Sequence, residues 1–301
     1  MVEQLRIEDC PEITSYHNSI YTSGYMFMIT GSVLAGIDES YERALAYRAD
    51  GGGIYIEQTA KVVIQDTRFV NLKGRYGGAL YIHQDRLTTT SLTLGLGYRT
   101  LRVYLLSDVV FENCEAEFDG GAIFVKNPMK MSITNGSFVA NSARREGGAL
   151  MYLCEPTERE REIDPDTPCS LEMGGQIDFV ENSARVGGAI RWNLMEMDIG
   201  DPEANFTRQE DGSIQYGGLT FSGNQAEEYG PEIAAVAREI IRLDSVEQYL
   251  RYYDRSNDNT VWQAPLPAEN TTTFFNNYTY HGVQSGGDVP TIFLGLIDKY
   301  G

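Results

Sequence analysis

The sequence has only three histidines, His17, His83 and His281, and they are far apart. Metal sites in proteins bring His and Cys ligands together at short, regular spacings, so these histidines predict no metal centre. No serine lies in a Gly-x-Ser-x-Gly motif. The paired-Asp, Asn-Thr-Asp and Arg-Ile-Lys signatures of pectin-degrading enzymes are also missing. We therefore predict a protein without enzymatic activity and without a cofactor.

Basic residues and long apolar runs are also scarce. The chain has 24 Lys and Arg against 43 Asp and Glu, which gives a formal net charge of -19. This excess of negative charge argues against nucleic acid and anionic membranes as partners. No run approaches the roughly 18 apolar residues of a membrane-spanning helix, so we expect no span. The first ten residues lack the order of a signal peptide, but a processed form or a fragment would lack it as well.

The chain has four cysteines. Cys154 and Cys169 flank a polar insertion, and a disulfide between them would close that loop and indicate an oxidising compartment. The alternative is a pair of unrelated thiols. Cys114 stands where other repeats of the chain carry an asparagine, and we expect it to be a small inward-facing hydrophobe. Cys10 has no evident partner.

Four Asn-x-Ser/Thr sequons favour secretion and glycosylation, although about one or two would occur by chance in a chain of this length. We therefore predict an extracellular or cell-surface glycoprotein. The candidate glycosylation sites are Asn135, Asn205, Asn270 and Asn277.

Glycine and tyrosine are abundant, with 31 and 19 residues, which is typical of a turn-rich β protein. The glycines belong to a repeated motif: a phenylalanine, an asparagine three residues later, and then a Gly-Gly pair followed by a small and an aliphatic residue. Looser copies begin at Phe69 and Phe111. The strict copies are Phe138, Asn141, Gly147 and Gly148; Phe179, Asn182, Gly187 and Gly188; and Phe221 with Asn224 before a degraded corner at Gly230.

The spacing of the glycine corners defines the length of the repeat. The corners begin at residues 51, 77, 120, 147, 187 and 230, so the intervals are 26, 43, 27, 40 and 43 residues. The short intervals give a basic unit of 26–27 residues, and the long ones contain insertions near residues 84–106, 154–169 and 193–212. Alternating apolar segments of about three to five residues predict short strands within each unit. About three strands per unit predict one turn of a parallel β-helix.

This geometry gives each motif residue a structural role. We expect Phe111, Phe138, Phe179 and Phe221 to stack inside as an aromatic ladder. Asn141, Asn182 and Asn224 should turn a corner in the left-handed backbone conformation and bond to each other through their side-chain amides. The glycine pairs should allow a tight corner where backbone lies against backbone. A phosphate-binding interpretation of the glycines is poor, because no helix start or P-loop lysine follows them.

The Gly-Gly-Ala-aliphatic corners and the Phe-x-x-Asn motif resemble the repeats of chlamydial polymorphic outer-membrane proteins. They also resemble large surface proteins of ciliates and other protists that have pectin-lyase-like β-helices. The resemblance covers residues 51–235 and is looser at Phe69 and Phe111, where Asn71 and Asn113 follow after two residues. It implies a right-handed helix, which is the usual hand of parallel β crossovers, and a surface or adhesive role.

We therefore predict an all-β chain that forms a right-handed single-stranded parallel β-helix, a solenoid, with a short C-terminal β extension. Residues 1–50 should form irregular N-terminal coils or a cap, and residues 51–235 the repeats. Residues 236–260 should form a cap or linker, in which Ile240, Val246, Tyr249 and Leu250 have helical spacing. Residues 261–301 read as strands of an incomplete β module, whose unpaired edges another chain could complete.

Charged residues cluster near the predicted turns, and we interpret them as a surface ladder of opposite charges; the alternative is a catalytic groove. Calcium is a further possibility at two acidic loops, residues 158–166 and Asp198 with Asp201, although neither has EF-hand spacing. The acidic members of the ladder are Asp66, Glu112, Asp119, Glu146, Asp178 and Glu181, and the basic members are Arg75, Arg144, Arg145 and Arg185.

The leading hypothesis is a non-enzymatic extracellular structural or adhesive protein, as a subunit of a surface fibril or appendage. Its expected partners are copies of itself, other surface proteins or glycans. One alternative is a polysaccharide-degrading lyase or glycoside hydrolase on a β-helix. Another is a glycan-binding module that uses Trp192, Trp262 and the tyrosines, although core packing explains the same residues.

Overall fold

The computed structural model describes residues 4–8, 13–15, 20–22, 26–36, 50–57, 59, 61–83, 103–128, 130–154, 170–192, 207–235, 239–243 and 293–297. All regular structure in these residues is β, and they contain no helix. The chain divides into two compact units, Met1–Ala234 and Ala235–Gly301. The all-β class predicted from the sequence is therefore confirmed for the described residues.

The first unit contains 24 of the 26 strands found in the described residues. The first half of its strands are β1 (Gln4–Glu8), β2 (Ile13–Ser15), β3 (Ile20–Thr22), β4 (Met26–Thr30), β5 (Val33–Gly36), β6 (Ile54–Glu57), β7 (Lys61–Gln65), β8 (Arg68–Val70), β9 (Lys73–Gly74), β10 (Leu80–His83), β11 (Val103–Glu112) and β12 (Glu115–Ala116). The second half are β13 (Ile123–Lys126), β14 (Lys130–Val139), β15 (Ser142–Ala143), β16 (Leu150–Leu153), β17 (Ser170–Val180), β18 (Ser183–Val186), β19 (Ile190–Trp192), β20 (Thr207–Arg208), β21 (Ile214–Tyr216), β22 (Leu219–Ser222), β23 (Gln225–Tyr229) and β24 (Ile233–Ala234).

These strands form three sheets. The first sheet has the order β1-β4-β7-β11-β14-β17-β22-β21-β20, and β2, β5 and β8 pair alongside it up to β11. The second sheet has the order β3-β6-β10-β13-β16-β19-β24, and the third has the order β9-β12-β15-β18-β23. From β7 onwards the described strands follow the chain from the first sheet to the third, then to the second, and back to the first; before β7 they alternate between the first and second sheets. We call one such circuit a pass, and each strand pairs in parallel with its equivalent in the next pass.

The register between passes aligns the repeated motif. Phe69 pairs with Phe111, Phe111 with Phe138, and Phe138 with Phe179, and Phe221 follows. Burial alternates along the strands, as in β7, where Val62 and Ile64 are buried and Lys61 and Gln65 are exposed. This alternation places one face of each strand in the core and explains the two-residue period of the sequence.

Some predicted strand lengths and insertion limits are wrong. β11, β14 and β17 contain 10, 10 and 11 residues rather than three to five, since they continue through left-handed residues at Asp108, Asn135 and Gly175. The first insertion ends before Val103, because Val103–Ser107 pairs with β7. The third ends before Thr207, where β20 and β21 form an antiparallel hairpin that pairs with β22.

All three insertions occupy the same type of connection. They lie between a strand of the second sheet and the next strand of the first sheet: from β10 to β11, β16 to β17, and β19 to β20. The same connection is short elsewhere, since only three residues separate β13 from β14. Residues 84–102, 155–169 and 193–206 lie outside the described part of the chain.

The second unit is described only by β25 (Glu239–Leu243) and β26 (Phe293–Ile297), which pair antiparallel. Ile240 lies in β25 and pairs with Leu296, so the helical structure that its spacing predicted is wrong at this residue. A β strand forms here because it pairs with β26, which lies more than 50 residues later in the chain. The spacing of neighbouring residues carries no information about so distant a partner. Val246, Tyr249 and Leu250 lie outside the described residues.

Candidate functional site

The interior of the first unit contains a stack of five phenylalanine rings. The centroids of neighbouring rings are 4.6, 5.0, 4.9 and 5.2 Å apart, and neighbouring planes differ by 4–10°. The five side chains, which are all at most 1% exposed, are Phe69, Phe111, Phe138, Phe179 and Phe221. This spacing equals the separation of paired strands, so the backbone register itself sets the stacking.

A row of asparagine amides runs beside this stack. The Nδ2 of Asn141 donates to the Oδ1 of Asn182 at 3.0 Å, and the Nδ2 of Asn182 donates to the Oδ1 of Asn224 at 3.0 Å. The backbone N–H groups of Asn141 and Asn182 donate to the same two oxygens. Each Nδ2 also donates to the carbonyl of a phenylalanine in the preceding pass: Phe111, Phe138 and Phe179. Buried amides are thus satisfied between passes.

The left-handed backbone does not fall on these asparagines, which corrects the prediction. It falls one residue earlier, on Ala140 (φ 52°) and Glu181 (φ 55°), and on Gly223 (φ 65°) in the last copy. In the looser copies, Asn71 (φ 55°) and Asn113 (φ 52°) take this position themselves. Asparagine therefore has two distinct roles, since the residue two after phenylalanine turns the chain and the residue three after it bonds inward.

Cys114 occupies the inward position of the asparagine row. Its backbone N–H donates to the Oδ1 of Asn141 at 3.0 Å, and its Sγ lies 3.6 Å from the carbonyl oxygen of Phe69. The thiol is buried, and burial raises its pKa to about 12. The side chain therefore continues the row with a neutral, unreactive group.

The two glycines of each corner are required for different reasons. The first has a positive φ, 66° at Gly147 and 67° at Gly187. The second has no room for a side chain, because a Cβ on Gly148 would collide with the carbonyl oxygen of Gly188 in the next pass. Only glycine satisfies both conditions at low cost.

One cluster of charged and aromatic side chains lies outside the core, next to the glycine corners. Arg145 donates from Nε to the Oδ1 of Asp119 at 3.1 Å and from a second nitrogen to Oδ2. The guanidinium lies over the ring of Phe118, 4.9 Å from its centroid, and over the ring of Tyr76 at 5.8 Å. Burial raises the pKa of Asp119, and the hydrogen bonds and charge of Arg145 partly oppose that rise.

Glu146 is the neighbour of Asp119 in the next pass, since the two residues form a parallel bridge. Its Oε2 lies 3.3 Å from the Nε of Arg191, which belongs to the pass after that. The carboxylates of Asp119 and Glu146 are therefore adjacent, as a catalytic acid and base would be. Each, however, forms an ion pair with its own arginine. This arrangement links passes electrostatically, and it leaves neither carboxylate as an isolated general acid or base.

Further ion pairs also join neighbouring passes, and this pattern agrees with a ladder of opposite charges. The sequence predicted Glu112 and Arg185 as members of this ladder but not their partners, because those partners point outward from strands rather than lying beside the glycine corners. The partners became identifiable only from the strand register. These pairs are Arg68–Glu112 at 3.2 Å, Lys73–Glu115 at 3.4 Å, Lys130–Glu172 at 2.6 Å and Arg185–Glu228 at 3.3 Å.

A row of aromatic rings on the outside of the second sheet was not predicted. Tyr21, Tyr55, Tyr81 and Phe124 stack with centroids 5.3, 4.9 and 5.3 Å apart. Tyr21 ends the row with a ring that is 59% exposed, and its hydroxyl donates to Glu57 at 2.7 Å. Trp192, by contrast, is 1% exposed, so no glycan can stack on its ring. Trp262 lies outside the described residues.

The predicted modification sites are only partly described. Asn135 is exposed, and its Nδ2 donates to Asp108 at 3.1 Å while its Oδ1 accepts from the N–H of Gln176. Cys154 is disulfide-bonded. Its pairing with Cys169 stays a prediction, because Cys169 lies outside the described residues, as do Cys10, Asn205, Asn270 and Asn277.

The acidic loops proposed for calcium also lie outside the described residues. Within the part of the chain that is described, no group of three or more His, Cys, Asp or Glu side chains is placed to hold a metal ion. A search of the same residues for a helix long and apolar enough to cross a membrane also finds none.

Comparison with known proteins finds no relative of this chain. No protein-family model matches the chain, and neither a curated protein nor a solved structure matches it.

Proposed function

We propose that the first unit is a right-handed parallel β-helix that serves as a structural or adhesive scaffold outside the cell. The observation that carries this proposal is the asparagine row of Asn141, Asn182 and Asn224. Asn141 and Asn182 are buried, and each donates from its side-chain amide to its equivalent in the next pass. Asn141 and Asn182 use their side-chain hydrogen-bonding groups to hold the passes together, as a stiff repeat protein requires.

The order of the strands supports the finer fold assignment. From β7 to β19 the described strands visit the three sheets in a fixed sequence, and each pairs in parallel with its equivalent one pass later. A solenoid produces this pattern, because each repeat contacts only its two neighbours. The right hand follows from the general preference of parallel β crossovers.

The charged cluster argues against catalysis. Hydrolysis of a glycosidic bond requires one carboxyl group that can donate a proton and a second that acts as nucleophile or base. Asp119 and Glu146 are adjacent but are held by Arg145 and Arg191 respectively. We assign the four side chains to the cohesion of the passes.

Glycan binding is a second candidate, and the outer aromatic row favours it. Tyr21 is 59% exposed, and its hydroxyl donates to the carboxylate of Glu57. An open aromatic face beside a carboxylate suits a sugar, whose apolar face stacks on the ring while its hydroxyls donate to the acid. Such binding would serve adhesion rather than compete with it.

An extracellular location agrees with two features. Cys154 is disulfide-bonded, and disulfides persist mainly in oxidising compartments. The net charge of -19 suits a soluble surface that repels anionic partners.

The proposal is tested by combining localisation with an activity assay. Antibodies to the protein should label source cells without permeabilisation, and the purified protein should release no new reducing ends or unsaturated products from neutral and acidic polysaccharides. Turnover that is lost in the Asp119→Asn variant would establish the enzyme alternative. Labelling only after permeabilisation would contradict the extracellular location.

A further inference from the structure

Among the described strands, none pairs with the outer edge of the third sheet at its β23 end. β23 is its last strand, and four of the five β23 residues are exposed: Gln225, Glu227, Glu228 and Tyr229. The other two sheets differ at this end. The hairpin of β20 and β21 pairs onto β22 in the first sheet, and Ile233 and Ala234 of β24 in the second sheet are buried. Of the described strands at this end, β23 is therefore the one that can accept a further strand.

The asparagine row also ends here, and its last member, Asn224, has hydrogen-bond donors that no described residue accepts. Asn182 donates its backbone N–H and one Nδ2 hydrogen to Asn224, and its other Nδ2 hydrogen to Phe138. Asn224 repeats only the last of these bonds, to Phe179. Among the described residues no acceptor takes its backbone N–H or its second Nδ2 hydrogen, and the side chain is half-exposed. One more oxygen in the row would satisfy both donors.

The charge of the row changes at the same place. Two consecutive passes carry the same four residues, Asn-Ser-Ala-Arg, at residues 141–144 and 182–185. The last pass instead reads Asn-Gln-Ala-Glu-Glu at residues 224–228. Glu228 pairs with Arg185 below it. Glu227 is exposed beside it, so the outer edge of β23 presents negative charge to whatever lies beyond.

We propose that β23 and Asn224 form a docking site for an extended strand of another polypeptide, which pairs in parallel with β23. The strand carries an asparagine or aspartate beside Asn224, a small residue beside Ala226, and a lysine or arginine facing Glu227. This chemistry repeats the pairing that Asn182, Ala184 and Arg185 make with the last pass. Addition of a strand to an exposed edge gains main-chain hydrogen bonds, while the side chains supply specificity.

The inference deepens the proposed scaffold function, because it names how the scaffold holds a partner. It also limits the mode of assembly. Since the hairpin of β20 and β21 occupies the edge of the first sheet, a complete second copy cannot extend all three sheets at this end. The site takes one strand, as in strand-donor complexes, rather than the full cross-section of a neighbouring scaffold.

The probe for this site is a fluorescent peptide with the sequence of residues 139–146, Val-Ala-Asn-Ser-Ala-Arg-Arg-Glu. We expect the full chain to raise its fluorescence anisotropy in a saturable way. Replacement of the peptide asparagine by leucine should weaken binding about tenfold, because two donors of Asn224 are then left unpaired. The Glu227→Lys variant should also weaken binding, and Glu210→Lys should not, since Glu210 is an exposed acid in the hairpin turn away from β23.

Three results would overturn the proposal: no saturable binding at millimolar peptide, equal binding of a shuffled peptide, or an equal response of the two lysine variants. The first would also be the outcome if a segment of this chain covered the edge. The test is independent of the scaffold function, because failure of peptide binding with intact surface labelling and no turnover would remove this inference alone.

Discussion

The side-chain amide of Asn141 donates to the side-chain oxygen of Asn182, 41 residues later in the chain, at 3.0 Å. The same oxygen accepts the backbone N–H of Asn141. One buried side-chain oxygen therefore accepts two hydrogen bonds at a corner, beside the backbone bonds from Ala140 to Val180 and from Ser183 to Asn141. It follows that the cohesion of the first unit depends on side chains at this corner as well as on the sheets.

The Asn182→Ala variant should lose at least about 3 kcal/mol of unfolding free energy, because it leaves several buried polar groups unpaired at once. The affected groups belong to Asn141, Phe138 and Asn224. Urea unfolding followed by circular dichroism measures the change. Ser183→Ala, next in the chain and half-buried, is the matched control and should stay within about 0.5 kcal/mol. Similar losses in both variants would show that the amide bonds contribute little.

Gly148 and Gly174 form a second matched pair. A Cβ at Gly148 would meet the carbonyl oxygen of Gly188, whereas a Cβ at Gly174 would meet nothing within 4 Å. We expect Gly148→Ala to cost about 3 kcal/mol or to prevent folding, and Gly174→Ala to be neutral or to stabilise by up to about 1 kcal/mol. The soluble yield and the melting temperature of each variant measure these two effects. A Gly148→Ala protein with unchanged stability would mean that the passes can separate at the corner.

Position 114 should tolerate replacement of Cys114 by asparagine better than replacement by valine. Asparagine would restore the row, with its Nδ2 in place to donate to the carbonyl of Phe69 and its Oδ1 in place for the N–H of Leu72, which now bonds to the thiol. We expect Cys114→Asn to stay within about 1 kcal/mol of the natural protein and Cys114→Val to lose about 1–3 kcal/mol. Urea unfolding decides between them, and the reverse order would show that packing volume outweighs polar satisfaction here.

The ion pair of Asp119 and Arg145 makes a prediction about pH. Burial is the larger influence and raises the folded-state pKa of Asp119 above its ordinary value. The folded protein then binds this proton more tightly than the unfolded chain, so stability is gained as pH falls through that pKa. Relative to Asp119→Asn, the natural protein should therefore become more stable between pH 7 and about pH 4. A relative loss over this range would show that Arg145 outweighs burial.

The disulfide of Cys154 predicts a specific cross-linked peptide. Digestion without reduction, followed by mass spectrometry, should yield a fragment that joins Cys154 to Cys169, while Cys114 remains alkylatable only after unfolding. A bond from Cys154 to Cys10 would require a different closure of the polar loop. The measurement needs material produced in an oxidising compartment, since a reducing cytosol would leave both thiols free.

The repeat allowed the sequence to predict the parallel strands, because identical residues at fixed spacing must occupy equivalent positions. The stack of Phe138 and its equivalents follows from this rule. What spacing could not provide was the backbone conformation within a corner. An asparagine two residues after the phenylalanine, such as Asn113, has a left-handed backbone and turns the chain. An asparagine three residues after it, such as Asn141, instead hydrogen-bonds inward through its side chain.

The outer contacts were less predictable for a different reason. Tyr55 and Tyr81 each follow the aliphatic residue of a glycine corner, so the repeat itself aligns them. Tyr21, which stacks on Tyr55, and the ion-paired Lys130 and Glu172 belong to no shared motif. They become neighbours only after the register is known. The hairpin of β20 and β21 was missed because its residues match no part of the repeated motif, so the repeat carries no information about them.

The placement of the insertions has an evolutionary consequence. All three interrupt the connection from the second sheet to the first, on a side of the repeat where neither the phenylalanine stack nor the asparagine row lies. Length and composition can therefore diverge there while the register of the passes stays the same. Selection can act on this connection as a variable region attached to a constant frame. The links from β6 to β7 and from β13 to β14 are equivalent connections that remain short.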